Sequence, residues 1–428
     1  MTQAFHPAQA GLAALPVRTL AERVGLGLLA LMIVFGCFTF MQPSPYDFIA
    51  IPTILVWLAL GVRLHRGAVV FLAPLILYHV ALGIALVPYL SEPLSFAWSY
   101  QSLYLMVTAV FFVMLFSDDT ARRVEVALQA YVASCVVASL AGVLSYVGLA
   151  PGFLFTMDGR AAGVFEDPNV LGSYLILGAL YLMHNLLTGA ARRPVASFLV
   201  LLLILGTIFL SFSRGSWGAT VVATTVMVAV TFVTARARWL RRRIVALGVA
   251  AALVGAVGLG ALLSIGSVAE RFADRATLSK DYDQGETGRF GNQLRSIPML
   301  MERPNGFGPL RFRVHFGLEP HNSYIGGFAN AGWLGGFAWI GLTLVTCFVG
   351  FRLMLTPSPV MRTAQIAFPT LLVFFLQAFQ IDIDHWRHVF LLMGLVWGLE
   401  CARQAWLRRL PYSAAIATGA GARPSASA

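Results

Sequence analysis

Arginine and histidine are scarce in a chain this apolar, so the places where they gather are read first. The stretch Glu286 to Tyr324, ETGRFGNQLRSIPMLMERPNGFGPLRFRVHFGLEPHNSY, holds five arginines and two histidines beside glycine-rich turns. Two more arginines stand alone in polar breaks between apolar runs: Arg160 in GRAAGVFEDPNVLG, and Arg214 in Ser213-Arg214-Gly215-Ser216. Guanidinium forks grip phosphate oxygens through paired, charge-assisted hydrogen bonds. A neutral imidazole such as that of His321, in Glu319-Pro320-His321-Asn322-Ser323-Tyr324, accepts a proton from a hydroxyl near neutral pH. Arg160, Arg214, Arg289 and His321, if brought together, would bind an anionic headgroup beside a base.

Each of these residues also has an ordinary reading. Arg214 could snorkel to lipid headgroups as a turn anchor, and Arg160 could be a solvated loop charge. Asp167 or Asn169 could cap the following helix. A histidine at a span boundary is a common interfacial residue. Asp382, Asp384, His385, Arg387 and His388 form another polar cluster, with His385 and His388 at i, i+3 and Asp384 and His388 at i, i+4. On a helix that spacing could ligate a divalent metal. Arg387 would compete for the carboxylates, and a hydrogen-bonded outer rim accounts for the same residues. His79, inside LILYHVALG, is expected to be satisfied by a neighbouring helix.

The elements that must position these residues are membrane helices. The chain has 428 residues, 58% hydrophobic and 11% charged, and its apolar residues fall in blocks long enough to cross a bilayer. The expected fold is an all-α integral membrane protein with twelve spans, at 24–41, 46–62, 68–90, 100–116, 125–148, 169–187, 196–212, 216–234, 244–266, 325–351, 364–381 and 389–407. The expected organisation is a cytoplasmic segment over 1–23, a polytopic domain over 24–407 and a disordered cytoplasmic tail over 408–428, rich in Ala, Gly and Ser. Arg18 and Arg23 precede the first run and no small-residue cleavage site follows it, so that run is read as a span.

The net charge of +11 reflects topology rather than nucleic-acid binding. With both termini inside, nineteen Lys and Arg lie on the cytoplasmic side, and Arg160, Arg214 and Arg387 lie in short loops on the other. The remaining eight lie in the long loop 267–321, between spans nine and ten, against seven Asp and Glu. Nearly neutral, that loop is no broad electrostatic funnel; individual arginines in fixed places are the better reading. Within it Phe290, Leu294, Ile297 and Met301 recur with helical period. They predict an amphipathic helix kinked at Pro298, lying on the outer membrane face or capping the bundle, with Arg289 on its polar side. The four cysteines have no metal spacing, and neither a disulfide framework nor a zinc site is indicated.

The motifs GRAAGVFEDPNVLGSY, SFSRGSWGA, TGRF followed by MERPNGFGP, and PHNSYIGGFANAGWLGG resemble, in order and spacing, the O-antigen ligase and Wzy-type polysaccharide polymerase superfamily. The likeness runs from about Gly159 to Gly336. It implies a GT-C-like glycosyltransferase of the bacterial inner membrane. Such an enzyme takes a glycan from undecaprenyl pyrophosphate at the periplasmic face and passes it to an acceptor glycan or lipid-linked glycan, with neither a nucleotide sugar nor an obligatory metal. By the same resemblance Arg214 and Arg289 bind the pyrophosphate, Arg160 is a third contact, His321 serves as base and Asn322 orients it. Asn169 and Tyr324 fall in the same motifs as substrate-binding candidates. Membrane lipids, a flippase and a chain-length regulator are the partners implied.

Ligase and polymerase differ in acceptor, lipid A core against another lipid-linked repeat. The short outer loops and the lack of an acceptor motif favour a polymerase. A twelve-span transporter would need polar groups near the bilayer midplane, and here the polar residues gather on one face.

Overall fold

The computed structural model describes residues 10–149, 152, 154–157, 159–275, 285 and 288–409. The expected tail beyond 409, the first nine residues and 276–284 of the long loop lie outside these. The helices are α1 (Ala10–Val34), α2 (Pro45–Ala59), α3 (Val69–Leu86), α4 (Pro93–Ser117), α5 (Thr120–Tyr146), α6 (Pro168–Tyr174), α7 (Ile176–Thr188), α8 (Pro194–Leu210), α9 (Arg214–Thr234), α10 (Arg238–Leu263), α11 (Gly266–Arg275), α12 (Arg289–Met301), α13 (Phe312–Phe316), α14 (Ser323–Leu355), α15 (Met361–Gln377) and α16 (Arg387–Arg409). A hairpin of β1 (Phe155–Met157) and β2 (Arg160–Gly163) precedes α6.

A helix stands at each of the twelve expected spans, α6 and α7 together making the sixth. Among the described residues, eight helical stretches are long and apolar enough to cross a membrane by length and composition, and α2 and α8 are shorter apolar helices. The fold is that of an all-α membrane protein. Helices α15 and α16 fall outside both groups for a packing reason. Residues His388 to Cys401 of α16 are all buried, so protein rather than lipid surrounds the helix, and a polar residue such as Glu400 costs little where it is paired. Arg403 grips Glu400 through Nε and Nη2, both at 2.9 Å, and Arg352 of α14 adds a third contact at 2.7 Å. At the other extreme, Ile244 is the one buried residue of α10.

Close helix contact in this core comes from small residues. A Cβ built on Gly394 would lie 2.5 Å from Cβ of Phe112, and one on Gly398 2.7 Å from Cβ of Phe116. Glycine therefore sets the distance between α16 and α4, as small residues do in membrane helix pairs. The rings of Phe112 and Phe116 stack at 5.8 Å on the face so formed.

Polar contacts sort the helix ends into two sets. At one end His65 meets Asp118, Arg243 reaches the carbonyl of Leu186, and Gln365 of α15 reaches Thr234. At the other Arg387 clamps Asp47, Arg311 meets Glu92 and His385 reaches the carbonyl of Trp98. The described residues of the loop 267–321 pack at this second end. Their helix α12 matches the expected period, with an orientation that the period alone left open. Phe290, Leu294, Ile297 and Met301 are exposed, while Asn292, Gln293 and Ser296 are buried. The apolar stripe faces outward and the polar stripe holds the protein, the arrangement of a helix lying at a lipid interface rather than capping a bundle. The helix runs through Pro298.

Helix α14 is broken at Gly332, whose backbone (φ 66°, ψ −166°) is non-helical. The turn Pro304–Gly308 fills the break: Phe307 and Gly308 donate to the carbonyl of Ala329 at 2.7 and 3.1 Å, and Trp333 donates to Pro304 at 2.8 Å. Irregular backbone at membrane depth persists only where protein satisfies its polar groups, which the NGFGP turn does here. His79 is satisfied by a neighbouring helix as expected, its ring nitrogens reaching the carbonyl of Leu75 and Ser102 of α4.

The closeness of α16 and α4 is testable. Gly394→Ala is expected to cost about 1–3 kcal/mol through overpacking, read as a lower midpoint of thermal unfolding in detergent. Gly248→Ala on α10, where an added Cβ would meet nothing within 4 Å, is expected to leave the midpoint unchanged or raise it. Equal effects of the two would show that α16 and α4 are not held at the glycine-limited distance.

Candidate functional site

Six consecutive residues, Gln377 to Asp382, link the elements that carry the basic residues. They follow from the end of α15, where the apolar run FPTLLVFFL gives way to QAFQIDID. Gln377 side-chain nitrogen donates to Ser173 Oγ of α6 at 3.1 Å, and Ser173 lies 3.2 Å from Ser216 Oγ of α9. The carbonyl of Gln380 accepts from Nη1 of Arg289 at 3.3 Å. The carboxylate of Asp382 accepts from the backbone amides of His321 and Asn322 at 3.2 and 2.9 Å.

His321 is held from below by that carboxylate. Its backbone lies in the left-handed region, φ 46°, which costs a residue bearing a Cβ about 1–2 kcal/mol and persists where surroundings over-determine it. Two amides on one carboxylate do so, and Gln293 of α12 binds the carbonyl of Pro320 just before it at 2.8 Å. The ring Nδ1 stands 3.7 Å from Oδ2 of Asp382, and the side chain is 43% exposed. The imidazole thus stands beside a carboxyl group and is partly exposed, a placement within reach of an incoming hydroxyl.

Arg214 is the first residue of α9, capped by Ser213, whose hydroxyl accepts from the amide of Ser216. Phe212 before it also has a left-handed backbone, φ 46°, so the turn that presents Arg214 and the turn that presents His321 share that feature. Gly215 lies against Gln377: a Cβ there would come within 3.5 Å of Nε2. Arg289 begins α12 as Arg214 begins α9. Helices α6, α9, α12 and α14 all start at this end, and helix N-termini carry partial positive charge that favours anions.

Arg160 differs from the other two arginines. It is buried on β2, with Nε donating to the carbonyl of Ser211 and Nη2 to Oδ1 of Asn169, both at 2.8 Å. It fastens the hairpin to the 211–216 turn and to the start of α6, so its placement is that of a residue positioning Arg214. Asn169 is tied at both ends, with its amide on Oδ1 of Asp167 at 2.7 Å and its carbonyl accepting from Ser216. Asp167, one of the two residues weighed as a cap, is the cap of α6.

Two expectations about the histidine's neighbours change. Asn322 does not orient the imidazole; its Oδ1 accepts from the amides of Tyr324 and Ile325, capping α14, and its Nδ2 reaches the carbonyl of Phe379. The residue beside the ring is Asp382, which sequence spacing had grouped with a rim or metal cluster. Tyr324 donates its hydroxyl to the carbonyl of Phe375 at 2.7 Å and packs on Phe379, which fixes its ring against α15. The rest of the cluster divides: Asp384 stays 3.5 Å from His385, and the side chains otherwise face different partners. His385 lies on Trp98, His388 is buried against Trp386 and Tyr174, and Arg387 pairs with Asp47 at 2.8 Å.

Charge around Asp382 is dense. Burial raises its carboxyl above the usual carboxylate range and the neighbouring Asp384 adds to this, against the two amides that favour the ionised form. Burial likewise raises Glu319, offset by Arg313 3.4 Å away. The signal missed in the sequence was the polar interruption Gln377, Gln380, Asp382 at the end of an apolar run; its distance of some sixty residues from His321 concealed the pairing.

Residues 199–340 match the family model described as O-antigen ligase. The match covers Arg214, Arg289 and His321, and it supports the O-antigen ligase and Wzy-type superfamily for this chain. No curated protein matches the chain.

A carboxyl raised by folding gives its full contribution below the unfolded titration range and withdraws it as pH climbs through the folded one. Between about pH 4 and pH 8 the unfolding midpoint is therefore expected to fall, and Asp382→Asn to flatten that fall. Parallel profiles for the two proteins would place the titration elsewhere.

Proposed function

We propose, from the O-antigen ligase family match and the meeting of Arg289, His321 and the Arg214 turn on one six-residue segment, that this chain is a glycosyltransferase using a lipid-linked donor. Undecaprenyl pyrophosphate carries the glycan, and the reaction takes place at the periplasmic face of the inner membrane. Supporting the side is the charge asymmetry, with the site at the end of the bundle poor in short-loop arginine.

In this reading the pyrophosphate lies against Arg214 and Arg289 at the starts of α9 and α12. Charge grows on the pyrophosphate as the bond to the anomeric carbon breaks, and fixed guanidiniums and helix N-termini stabilise that charge more than the ground state. The imidazole of His321 takes the proton of the acceptor hydroxyl, whose oxygen attacks the anomeric carbon opposite the leaving group, so the product is inverted. Asp382 holds the backbone that presents the ring. Arg160, Asn169 and Asn322 shape the turns; they are positioning residues. The outward apolar stripe of α12 lies along the lipid, where a polyprenyl chain would run.

The acceptor is a second lipid-linked repeat, which makes the protein a polymerase of O-antigen or exopolysaccharide. No acceptor-specific element distinguishes the outer loops, and the donor's own glycan chemistry then suffices. Reconstituted protein given only the undecaprenyl-pyrophosphate-linked repeat is expected to produce a ladder. Transfer to lipid A core without a ladder would make it a ligase.

His321→Ala is expected to lower turnover about 10²–10⁴-fold, and full activity would remove the base. Arg289→Ala is expected to weaken donor use about 10²–10³-fold with acceptor saturation unchanged. Equal loss for donor and acceptor would count against a pyrophosphate contact.

A further inference from the structure

A cavity opens at the far end of the same helices. It has a volume of about 980 Å³ and lies among the starts of α5 and α15 and the ends of α7 and α16. Helix α15 begins at this cavity and ends at Gln377, so its 17 residues separate the two by roughly 25 Å at 1.5 Å per residue. Nothing in the transferase reading uses it.

Five arginines line the cavity. Arg403 is held by Glu400. Arg192, Arg193, Arg362 and Arg409 come from three separate segments, and none of their guanidiniums makes an ion pair or hydrogen bond among the described residues. The acids facing them are Asp118, Asp119 and Glu125. Asp118 is engaged by His65 at 3.2 Å, and Glu125 accepts from Tyr181 and Gln129 at 2.9 and 2.6 Å. The balance left over is positive. Charge bias toward one side of a membrane explains basic loops; it does not explain why guanidiniums from three segments surround one hollow. A volume of this size is that of a small-molecule site.

We propose that this cavity binds a phosphate-bearing anion at the end of the bundle opposite the transferase site. Several converging forks suit the multiple oxygens of a phosphate or diphosphate. Lipid reaches the rim as well. Ser197 of α8 lines the cavity, and its neighbours Val195, Phe198 and Leu199 are exposed apolar residues, a surface for acyl chains. The ligand chemistry is therefore shared by an anionic lipid headgroup and a free phosphate compound.

The test uses the purified full chain with two probes: cardiolipin in phosphatidylcholine nanodiscs, compared with phosphatidylcholine alone, and inorganic pyrophosphate in solution. Binding is read by native mass spectrometry and by the shift in unfolding midpoint. The triple variant Arg192→Gln, Arg193→Gln, Arg362→Gln is expected to weaken binding about fivefold for each arginine removed. The matched variant Arg63→Gln, Arg66→Gln, Arg408→Gln removes the same charge from the same end outside the cavity and is expected to change binding less than about twofold per arginine. Binding of cardiolipin alone assigns a headgroup, and binding of pyrophosphate assigns a free anion. Should the first triple variant fail to fold, Arg362→Gln alone carries the same fivefold expectation. Absence of binding by both probes, or equal loss in the two triple variants, would overturn the proposal.

Discussion

One carboxylate, Asp382, accepts the backbone amides of His321 and Asn322, and much of the outer end of the bundle is arranged by that contact. It joins the end of α15 to the start of α14 across about sixty residues of sequence. It fixes a left-handed backbone that would otherwise relax, and so fixes where an imidazole points. Each such hydrogen bond contributes about 0.5–1.5 kcal/mol net, and two of them are of the order of the conformational cost at His321.

From this contact the same segment extends to the other basic residues. Gln377 ties α15 to α6, α6 is tied to α9 through Ser173 and Ser216, and Gln380 accepts from Arg289. Arg160 secures the turn before α9 from the side. The polar groups thereby satisfy one another, a requirement that burial imposes on any irregular backbone. The break in α14 at Gly332, filled by the Pro304–Gly308 turn, answers the same requirement.

Electrostatics divides the molecule in two. At the outer end the short loops hold three arginines, Arg160, Arg214 and Arg387, and the acids Asp382, Asp384 and Glu319 crowd near the histidine. At the opposite end arginines are many, and four of them surround a hollow with guanidiniums that engage no partner among the described residues. Helices α5, α7, α15 and α16 run between the two ends. Glycines set close contacts along them, Gly178 of α7 against Cys135 of α5 and Gly394 and Gly398 of α16 against α4.

Apolar blocks of bilayer length make the twelve helices legible in the amino-acid order itself, since hydrophobic length is a local property of the chain. The basic residues in four motifs are legible for the same reason: an arginine in an apolar sequence needs a partner and marks itself. What periodicity could not settle was which face of α12 turns inward, because both lipid and protein can bury an apolar stripe, and the structure gives the protein the polar one. Nor could spacing pair His321 with Asp382, or separate Arg160 as a buried fastening from Arg214 and Arg289 as half-exposed groups. Those relations depend on hydrogen bonds between residues some fifty to ninety positions apart, and only the folded chain brings their donors and acceptors within reach.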